Sequence, residues 1–409
     1  MCKGWQIDTP PSVTYASVVT KESIRMDVWR RAAKNESGIR YYKYLFIYTD
    51  DIIAISENPK RILDAMNEYF ILKADSIKEP TRYLGASISK HLIDGDSYYT
   101  WAVGSKEYLI ESLRVVKQRI TPLNLTLKSK VTSALPSGYK PELDSSEYLD
   151  DDTTVLYMQL IGILRWLVEL GRIDICVEVS MMSSYNCMPR TTRLHAVLHI
   201  FSHLQVNPDW KLVMDSAHNK HLPEIEKRDW SEFYPFSRKC NPPDMPEALG
   251  LGVELTIFVD ASHATNLVTR QSRTGVLIYV NKGPIIWYSK KQNSIETSSF
   301  GSEFMALKTG VELLEGLVYK LQMMGVPIEG YCHTCVDNMS VVNNTSIPES
   351  TLKKKSNSIA YHYVRSKCAE DILRITYENT RTNLADILTK VQVGVTKKSF
   401  RDRIMFPGD

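Results

Sequence analysis

The N-terminal third of the chain alternates β-rich stretches with an amphipathic one. Residues 41–49 (YYKYLFIYT) and 52–56 (IIAIS) are rich in aromatic and β-branched residues, so they are predicted to pair as two strands. Apolar positions recur at helical spacing over 62–70, and Asn58 is a suitable cap for that helix. Two further β-rich runs within 82–103 predict a hairpin. Together these elements predict a sheet backed by a helix.

The next part of the chain, about 108–204, is predicted to be mostly helical. Residues 153–171 (TTVLYMQLIGILRWLVELG) carry a continuous apolar face, and 191–205 (TTRLHAVLHIFSHLQ) form a second amphipathic pattern. Four prolines between 229 and 252 then end the periodicity. A proline-rich stretch of this kind is typical of a linker.

The C-terminal part shows a different order of elements. A long helix is predicted at 298–325 and a late helix at 381–390, and strands are predicted at 254–260, 273–280, 284–289, 331–337 and 371–378. Three consecutive strands, a helix, a strand, helices and a last strand describe a mixed sheet flanked by helices. The whole chain is therefore predicted to be an α/β (α+β) protein.

Four acidic residues lie at strand ends or in helices of this C-terminal part. Asp260 and Asp337 end strands, Glu303 lies in the first turns of the long helix, and Asp386 lies in the late helix. Converging carboxylates repel each other and take up protons unless divalent cations neutralise them. Mg²⁺ prefers such oxygen ligands, and a pair of ions can promote attack on a phosphodiester. By spacing alone the indication is weak, because the chain contains 47 acidic residues.

Two other groups have spacings that metal ligands use. His195, His199 and His203 are four residues apart on one helical face, but no acidic residue lies among them, which favours solvated or hydrogen-bonded histidines. Cys332 and Cys335 have a zinc-like spacing without a second pair, which favours thiols packed as small apolar groups on a strand.

Composition narrows the class of protein. The chain has 409 residues, 43% of them hydrophobic and 24% charged, as in ordinary globular proteins of two or three domains. A net charge of +3 does not by itself indicate nucleic-acid binding. Seven scattered cysteines favour reduced thiols, and the N-terminal sequence lacks the apolar stretch of a signal peptide, so secretion is not expected. No apolar run approaches the roughly 18 residues of a membrane span.

The sequence motifs that contain the four acidic residues are more specific than their spacing. FVDASHATNLVTRQSRTGVLIYV, IIWYSKKQNSIETSSFGSEFMAL, CVDNMSVV and NLADILTK resemble, in order, the RNase H domain of Copia-type (Pseudoviridae) retrotransposon polyproteins. YTDD resembles the Tyr-x-Asp-Asp turn of their reverse transcriptase, RYLGASISK the following palm segment, and LIGILRWLVELGRIDICVEVSMMSS the helical stretch between polymerase and RNase H. The resemblance extends from about Trp29 to Val391.

For the RNase H part, the resemblance implies two Mg²⁺ ions, with Mn²⁺ as an alternative, held by Asp260, Glu303, Asp337 and Asp386. It also places Lys290, Lys291 and Gln292 near the nucleic acid. The run Lys353, Lys354 and Lys355 either follows the phosphates of a hybrid duplex or forms a solvated helix face. The implied reaction is cleavage of the RNA strand of an RNA–DNA hybrid.

For the polymerase part, the resemblance implies that Asp50 and Asp51, at the tip of the first hairpin, hold metal ions. Aspartate is also common in turns because its side chain bonds the local backbone, so a structural role is the alternative. The family takes a third metal-binding aspartate from an earlier strand, and the candidate Asp27 does not match that segment. Only some forty residues precede Tyr48, so polymerase activity is not expected from this chain alone.

Five regions are expected: a partial reverse-transcriptase palm (1–105), a helical thumb or connection region (106–205), a linker (206–252), an RNase H-like domain with a mixed five-stranded sheet (253–396) and a tail (397–409).

Two kinds of function remain open. The intact acidic set favours an RNase H-type endonuclease, whereas the truncation favours a decayed transposon product with no catalysis and at most weak nucleic-acid binding. The implied partners are an RNA–DNA hybrid and further parts of a Pol polyprotein, with no membrane, in the cytoplasm, the nucleus or a virus-like particle.

Overall fold

The computed structural model describes residues 6–8, 27–48, 51–68, 72, 77–93, 98–219, 222–352 and 357–408. The chain divides into two compact units that interleave in sequence. The first unit comprises Met1–Leu84, Cys240–Glu254 and Glu315–Gly330, and the second comprises Gly85–Lys239, Leu255–Leu314 and Tyr331–Asp409. The described helices include none that combines the length and apolar character needed to cross a membrane.

The first unit contains an antiparallel sheet whose strands follow the order of the chain. Its strands are β1 (Gln6–Asp8), β2 (Asp27–Lys34), β3 (Arg40–Tyr48) and β4 (Asp51–Ile55), followed by helix α1 (Pro59–Asn67) and the short strand β5 (Arg82–Tyr83). The predicted pairing of the two N-terminal β-rich runs is confirmed, with Tyr48 opposite Asp51. The predicted cap is also confirmed, because the Asn58 side chain accepts a hydrogen bond from the Arg61 amide.

The second unit begins with a hairpin and four helices. Its elements are β6 (Ala86–Leu92), β7 (Tyr99–Gly104), α2 (Lys106–Ile120), α3 (Asp151–Glu169), α4 (Cys176–Ser183), α5 (Thr191–Val206) and β8 (Trp210–Met214). Strands β6, β7 and β8 are antiparallel neighbours, so the predicted hairpin and helical region are confirmed. Helix α3 ends before Gly171, whose φ of +100° favours glycine. A Cβ at Gly171 would also lie 3.0 Å from the Leu212 side chain on β8.

The C-terminal sheet of the second unit has the order β11-β10-β9-β12-β13. The elements that follow β8 along the chain are β9 (Leu255–Ser262), β10 (Arg273–Val280), β11 (Gly283–Lys291), α6 (Ser299–Met324), β12 (Cys332–Val336), α7 (Met339–Ser346), α8 (Ser358–Ala369), β13 (Leu373–Tyr377), α9 (Gly394–Ile404) and β14 (Phe406–Pro407). Strand β14 pairs with β8 and not with this sheet. Strands β9, β10 and β11 are antiparallel, whereas β12 lies parallel to both β9 and β13. The predicted mixed five-stranded sheet is confirmed.

One apolar core runs through the helices and the C-terminal sheet of the second unit. Trp287 on β11 packs against this core, and its indole nitrogen donates to the Val168 carbonyl of α3 over 3.0 Å. Part of the stretch 206–252 is also packed. Strand β8 lies there, and Trp230 is only 8% exposed with the buried Arg365 guanidinium 4.8 Å from its ring centroid. The domain limits expected from the sequence remain predictions.

Candidate metal centre

Three carboxylates converge where β9, β12 and α6 meet. Asp260 lies near the end of β9, and Asp337 directly follows β12, which runs parallel beside it with Val336 opposite Val259. Glu303 projects from the first turns of α6. One oxygen atom from each of the three carboxylates lies within 4.8 Å of the other two. The parallel pairing of β9 and β12 therefore delivers two of the acids side by side.

Burial makes this concentration of negative charge costly. Asp260 is 1% exposed and Glu303 9% exposed. Burial raises the pKa of Asp260 to about 6, with Asp386 and Asp337 adding to the rise and Lys390 and Thr389 opposing it. Burial raises the pKa of Glu303 to about 10, and the neighbouring Asp260 and Asp337 add to this rise. At neutral pH the site is therefore short of positive charge.

Asp386 lies near Asp260 but is engaged differently. It lies in a short 3₁₀ helix, Leu384–Leu388, where Asn383 caps the first turn. Its carboxylate accepts hydrogen bonds from Lys390 and Gln392. The Lys390 ammonium nitrogen also lies 3.9 Å from an Asp260 oxygen. Lys390 thus bridges Asp386 and Asp260.

The 3₁₀ helix reaches Asp260 because Gly275 leaves room for it. Gly275 lies opposite Asp260 on β10. A Cβ at Gly275 would come within 2.6 Å of Thr389 Cγ2 and 2.8 Å of the Ala385 carbonyl oxygen. The close approach places the Thr389 hydroxyl where it donates to Asp260. The same close approach allows the side-chain amide of Asn383 to donate to the Val259 carbonyl over 2.8 Å.

The donor set fits a divalent cation with oxygen ligands. Carboxylates are the ligands that Mg²⁺ and Mn²⁺ prefer, and a bound cation would lower the pKa values that burial has raised. Asp260, Glu303 and Asp337 would hold it. The structure thus brings together three of the four acids that the sequence indicated, and Lys390 links the fourth, Asp386, to Asp260.

The other candidate residues from the sequence differ in exposure and in their contacts. Lys290 is exposed and Lys291 partly buried at the end of β11. Gln292 is buried, and its amide nitrogen donates to the Thr274 hydroxyl over 3.1 Å and the Ser302 carbonyl over 2.9 Å. Asp51 is exposed at the start of β4. Asp50, Lys353, Lys354 and Lys355 lie outside the described residues.

The histidine and cysteine groups have the surroundings of structural residues. Along α5, His195 is exposed and His199 partly buried, whereas His203 is buried with its Nε2 3.7 Å from the Asp174 carboxylate. Cys332 and Cys335 are buried free thiols, and burial raises the pKa of Cys335 to about 12. The interpretation of the cysteines as packed apolar groups is confirmed.

Sequence reasoning missed Thr389, Lys390 and Gly275 as parts of the centre. Thr389 and Lys390 directly follow the helical turn of Asp386, so a wider look at that motif could have included them. No such signal marks Gly275 in the sequence. The atoms with which a side chain at Gly275 would clash belong to residues more than a hundred positions further along the chain.

Comparison with known proteins points to mobile genetic elements. No protein-family model matches the chain. It is 23% identical over 88% of its length to the retrovirus-related Pol polyprotein from transposon RE2 of Arabidopsis thaliana. A third of the chain is 30% identical to the corresponding polyprotein from transposon TNT 1-94 of Nicotiana tabacum. The chain is related to Copia-type retrotransposon Pol polyproteins.

This Pol-related chain spans only part of those relatives, covering 22% of the RE2 polyprotein and 10% of the TNT 1-94 polyprotein. Among solved structures, RNase H domains are its neighbours. LC11-RNase H1, solved in complex with an RNA/DNA hybrid, matches 33% of the Pol-related chain and 94% of its own chain, with 18% sequence identity and a TM-score of 0.28.

Proposed function

We propose that this chain is a Pol-derived, RNase H-type endonuclease that hydrolyses the RNA strand of RNA–DNA hybrids with the help of two divalent cations, Mg²⁺ or Mn²⁺. The observation that carries the proposal is the convergence of Asp260, Glu303 and Asp337, one oxygen of each lying within 4.8 Å of the other two in a largely buried site. Similarity to retrovirus-related Pol polyproteins of transposons supports the same choice.

Each acid has a definable part in this reaction. Bound cations would activate a water molecule and stabilise the leaving oxygen of an in-line displacement at phosphorus. Asp260, as the most buried of the three and the one next to both Asp337 and Lys390, would bind at the centre of the site. Glu303 and Asp337 would complete the oxygen ligands from either side. The new bond joins the water oxygen to phosphorus, and the bond from phosphorus to the 3′ oxygen breaks.

Lys390 and Thr389 would prepare the site rather than react. The Lys390 ammonium neutralises part of the charge of Asp386 and Asp260 when no cation is bound. The Thr389 hydroxyl fixes one oxygen of Asp260 by donating a hydrogen bond to it. Both contacts hold the carboxylates in place before substrate arrives, which lowers the cost of ordering them at the moment of reaction.

Cleavage of a labelled hybrid by the purified full chain tests this proposal. Wild type should cut the RNA strand with Mg²⁺ and not with EDTA, and should leave duplex DNA intact. Asp260→Asn, Glu303→Gln, Asp337→Asn and Asp386→Asn should each lower turnover on the order of 100-fold or more while hybrid binding changes little, because each removes a ligand charge. Glu312→Gln is the matched control, since Glu312 is an exposed glutamate on the same helix.

Two results would contradict the proposal. Wild type that shows no cleavage with either Mg²⁺ or Mn²⁺ would favour a decayed transposon product that does not catalyse. Cleavage that survives Asp260→Asn or Glu303→Gln at the wild-type rate would separate the activity from this centre.

A further inference from the structure

A cleft lined by several charged side chains lies beside the acidic centre in the second unit. It has a volume of about 390 Å³. One wall is the loop Gly138–Glu142 with the end of α4, and the other is the β9–β10 loop with the first residues of β10. Thr389 and Lys390, which contact Asp260, also line it. The cleft is therefore continuous with the centre through these two side chains.

Arg273 lies in this cleft as a buried cation, and the carboxylates of Glu178 and Glu142 act on it without forming an ion pair in the described part of the chain. It is 8% exposed, and its Nη1 donates to the hydroxyls of Ser180 over 2.6 Å and Ser289 over 3.4 Å. Within the described part of the chain it makes no ion pair, and its other guanidinium nitrogens have no acceptor. A buried charge that lacks a partner is costly, so an anion that enters the cleft would be stabilised.

The other charged side chains that line the cleft are also mostly positive. Four cationic side chains, Lys140, Arg273, Lys291 and Lys390, line it against one carboxylate, that of Glu142. Glu142 is already an acceptor for the Leu267 amide over 2.9 Å. Lys140 donates to the Thr265 carbonyl over 3.0 Å and so fixes the loop wall in place. Because Lys390 is already paired with Asp386, the excess positive charge comes from Lys140, Arg273 and Lys291. The cleft thus combines this excess with an ordered wall.

The strand register fixes where Arg273 lies relative to the acids. Arg273 is opposite Ser262, and Gly275, two residues further on β10, is opposite Asp260. Residues two apart on a strand share a face and are separated by about 7 Å. Arg273 and Asp260 therefore lie on the same face of the sheet, roughly one strand repeat apart. A polymer that passes the acidic centre along this face would meet the cleft next.

We propose that this cleft is a phosphate subsite, in which Arg273 with Lys140 and Lys291 holds a phosphodiester of the nucleic-acid strand that lies across the acidic centre. Arginine suits this role because its planar donors match two oxygens of a phosphate. The proposal rests on the proposed function only in naming a hybrid as the source of the phosphate. The helical region thereby contributes to substrate binding through the loop Gly138–Glu142.

Binding of a labelled RNA–DNA hybrid to the full chain in EDTA, where no cleavage occurs, tests the subsite. Arg273→Gln should weaken binding about 10-fold. The slope of log K against log salt should fall by about 0.7–0.9, the amount expected for one lost phosphate contact. Arg165→Gln is the matched control, because Arg165 is exposed on α3 and does not line the cleft. It should leave both values near those of wild type.

Thr269→Glu provides a second route that keeps Arg273 and its hydrogen bonds. Thr269 is exposed at the mouth of the cleft, so a carboxylate there should repel a phosphate without disturbing the interior. It should weaken hybrid binding several-fold, whereas Thr192→Glu, on an exposed face of α5 outside the cleft, should not. Inorganic phosphate should compete with the hybrid only weakly if the cleft recognises a phosphodiester held in a strand, and strongly if it is a site for the free anion.

The outcomes separate this subsite from the proposed function. An unchanged salt slope in Arg273→Gln, or hybrid binding by Thr269→Glu equal to that of wild type, overturns the subsite even if wild type cleaves. No hybrid binding by wild type overturns it as well, as does strong competition by inorganic phosphate. A reduced slope in a chain that fails to cleave with Mg²⁺ or Mn²⁺ supports the subsite and overturns the endonuclease.

Discussion

The helical region and the C-terminal sheet both bury acidic side chains, but the buried acids of the helical region are more closely matched by positive charge. Asp174 is 1% exposed, and both of its oxygens accept hydrogen bonds from Arg172 over 2.8 Å. Burial alone would raise the pKa of Asp174, but the Arg172 guanidinium outweighs it and holds that pKa well below its usual range. Glu178 is likewise paired with the buried Lys397 over 2.6 Å.

The C-terminal sheet has the opposite balance. Asp260 is as buried as Asp174 and Glu303 is nearly so, yet their pKa values are raised, to about 6 and about 10. Three carboxylates converge there, and Lys390 is shared with Asp386. The buried acids of the helical region are thus paired with cationic side chains, whereas the described residues do not fully match the charge of these three carboxylates. Perturbed carboxylates in one cluster are typical of functional sites.

The largest effect is expected where a structural pair is broken. Arg172→Met leaves Asp174 buried without its partner, so the free energy of unfolding should fall by about 3–5 kcal/mol. Chemical denaturation measures this loss. Arg172→Met with Asp174→Asn removes both charges and should recover part of the loss. A double variant that is no more stable than Arg172→Met would show that the pair does not act as one unit.

The next effect concerns pH in the absence of cations. Folded Glu303 and Asp260 keep protons that the unfolded chain has already released, so stability falls as pH rises from about 4.5 towards 10. The loss should be about 1.4 kcal/mol for each pH unit over which Glu303 stays protonated in the folded chain and is ionised in the unfolded one. Asp174 has the opposite sign, because its stabilising effect is lost only as pH falls below its unfolded value of 3.8.

Urea midpoints in EDTA across this range measure the pH effect, and the difference between wild type and Glu303→Gln isolates the contribution of Glu303. Glu303→Gln should show a flatter decline, and added Mg²⁺ should stabilise wild type increasingly as pH rises, because the cation binds the deprotonated acids. Equal declines in the two proteins would remove Glu303 as the source.

A smaller effect is expected where the chain approaches itself closely. Gly275→Ala places a methyl group against Thr389 and Ala385, so the 3₁₀ helix must shift, at a cost of about 1–2 kcal/mol. Hybrid cleavage should fall more than this stability loss explains, because Asp386 and Thr389 move with the helix. Gly162→Ala on α3 meets nothing within 4 Å and should be neutral or stabilise by up to about 1 kcal/mol. Full cleavage by Gly275→Ala would mean that the close approach is not needed.

Much of the fold was accessible from local patterns. Strands β9 to β12 and helix α6 were predicted within a few residues, because alternation and helical periodicity depend on neighbours in sequence. The apolar pattern could not show which elements pack together. That Trp287 donates to Val168, or that Trp230 packs under Arg365, depends on pairings across more than a hundred residues.

The site was predicted in kind but not in detail. The motif around each acid indicated Asp260, Glu303 and Asp337, and the parallel pairing of β9 and β12 explains why two of them meet. The bridge from Lys390 to Asp386 and Asp260 was not predicted, because it requires the 3₁₀ helix to pack against Gly275. His203 likewise meets Asp174 only through the packing of α5, which its own helix could not reveal.

The most direct test of the unmatched charge is calorimetric titration of the full chain with Mn²⁺ at neutral pH, in buffers of different ionisation enthalpy. Wild type should bind the cation and release close to one proton, because Glu303 is protonated in the free protein. Glu303→Gln and Asp260→Asn should bind about 10–100-fold more weakly, and Glu303→Gln should release almost no proton, whereas Glu312→Gln should match wild type. Absence of binding at millimolar Mn²⁺, or equal affinity and proton release in wild type and Glu303→Gln, would contradict the account.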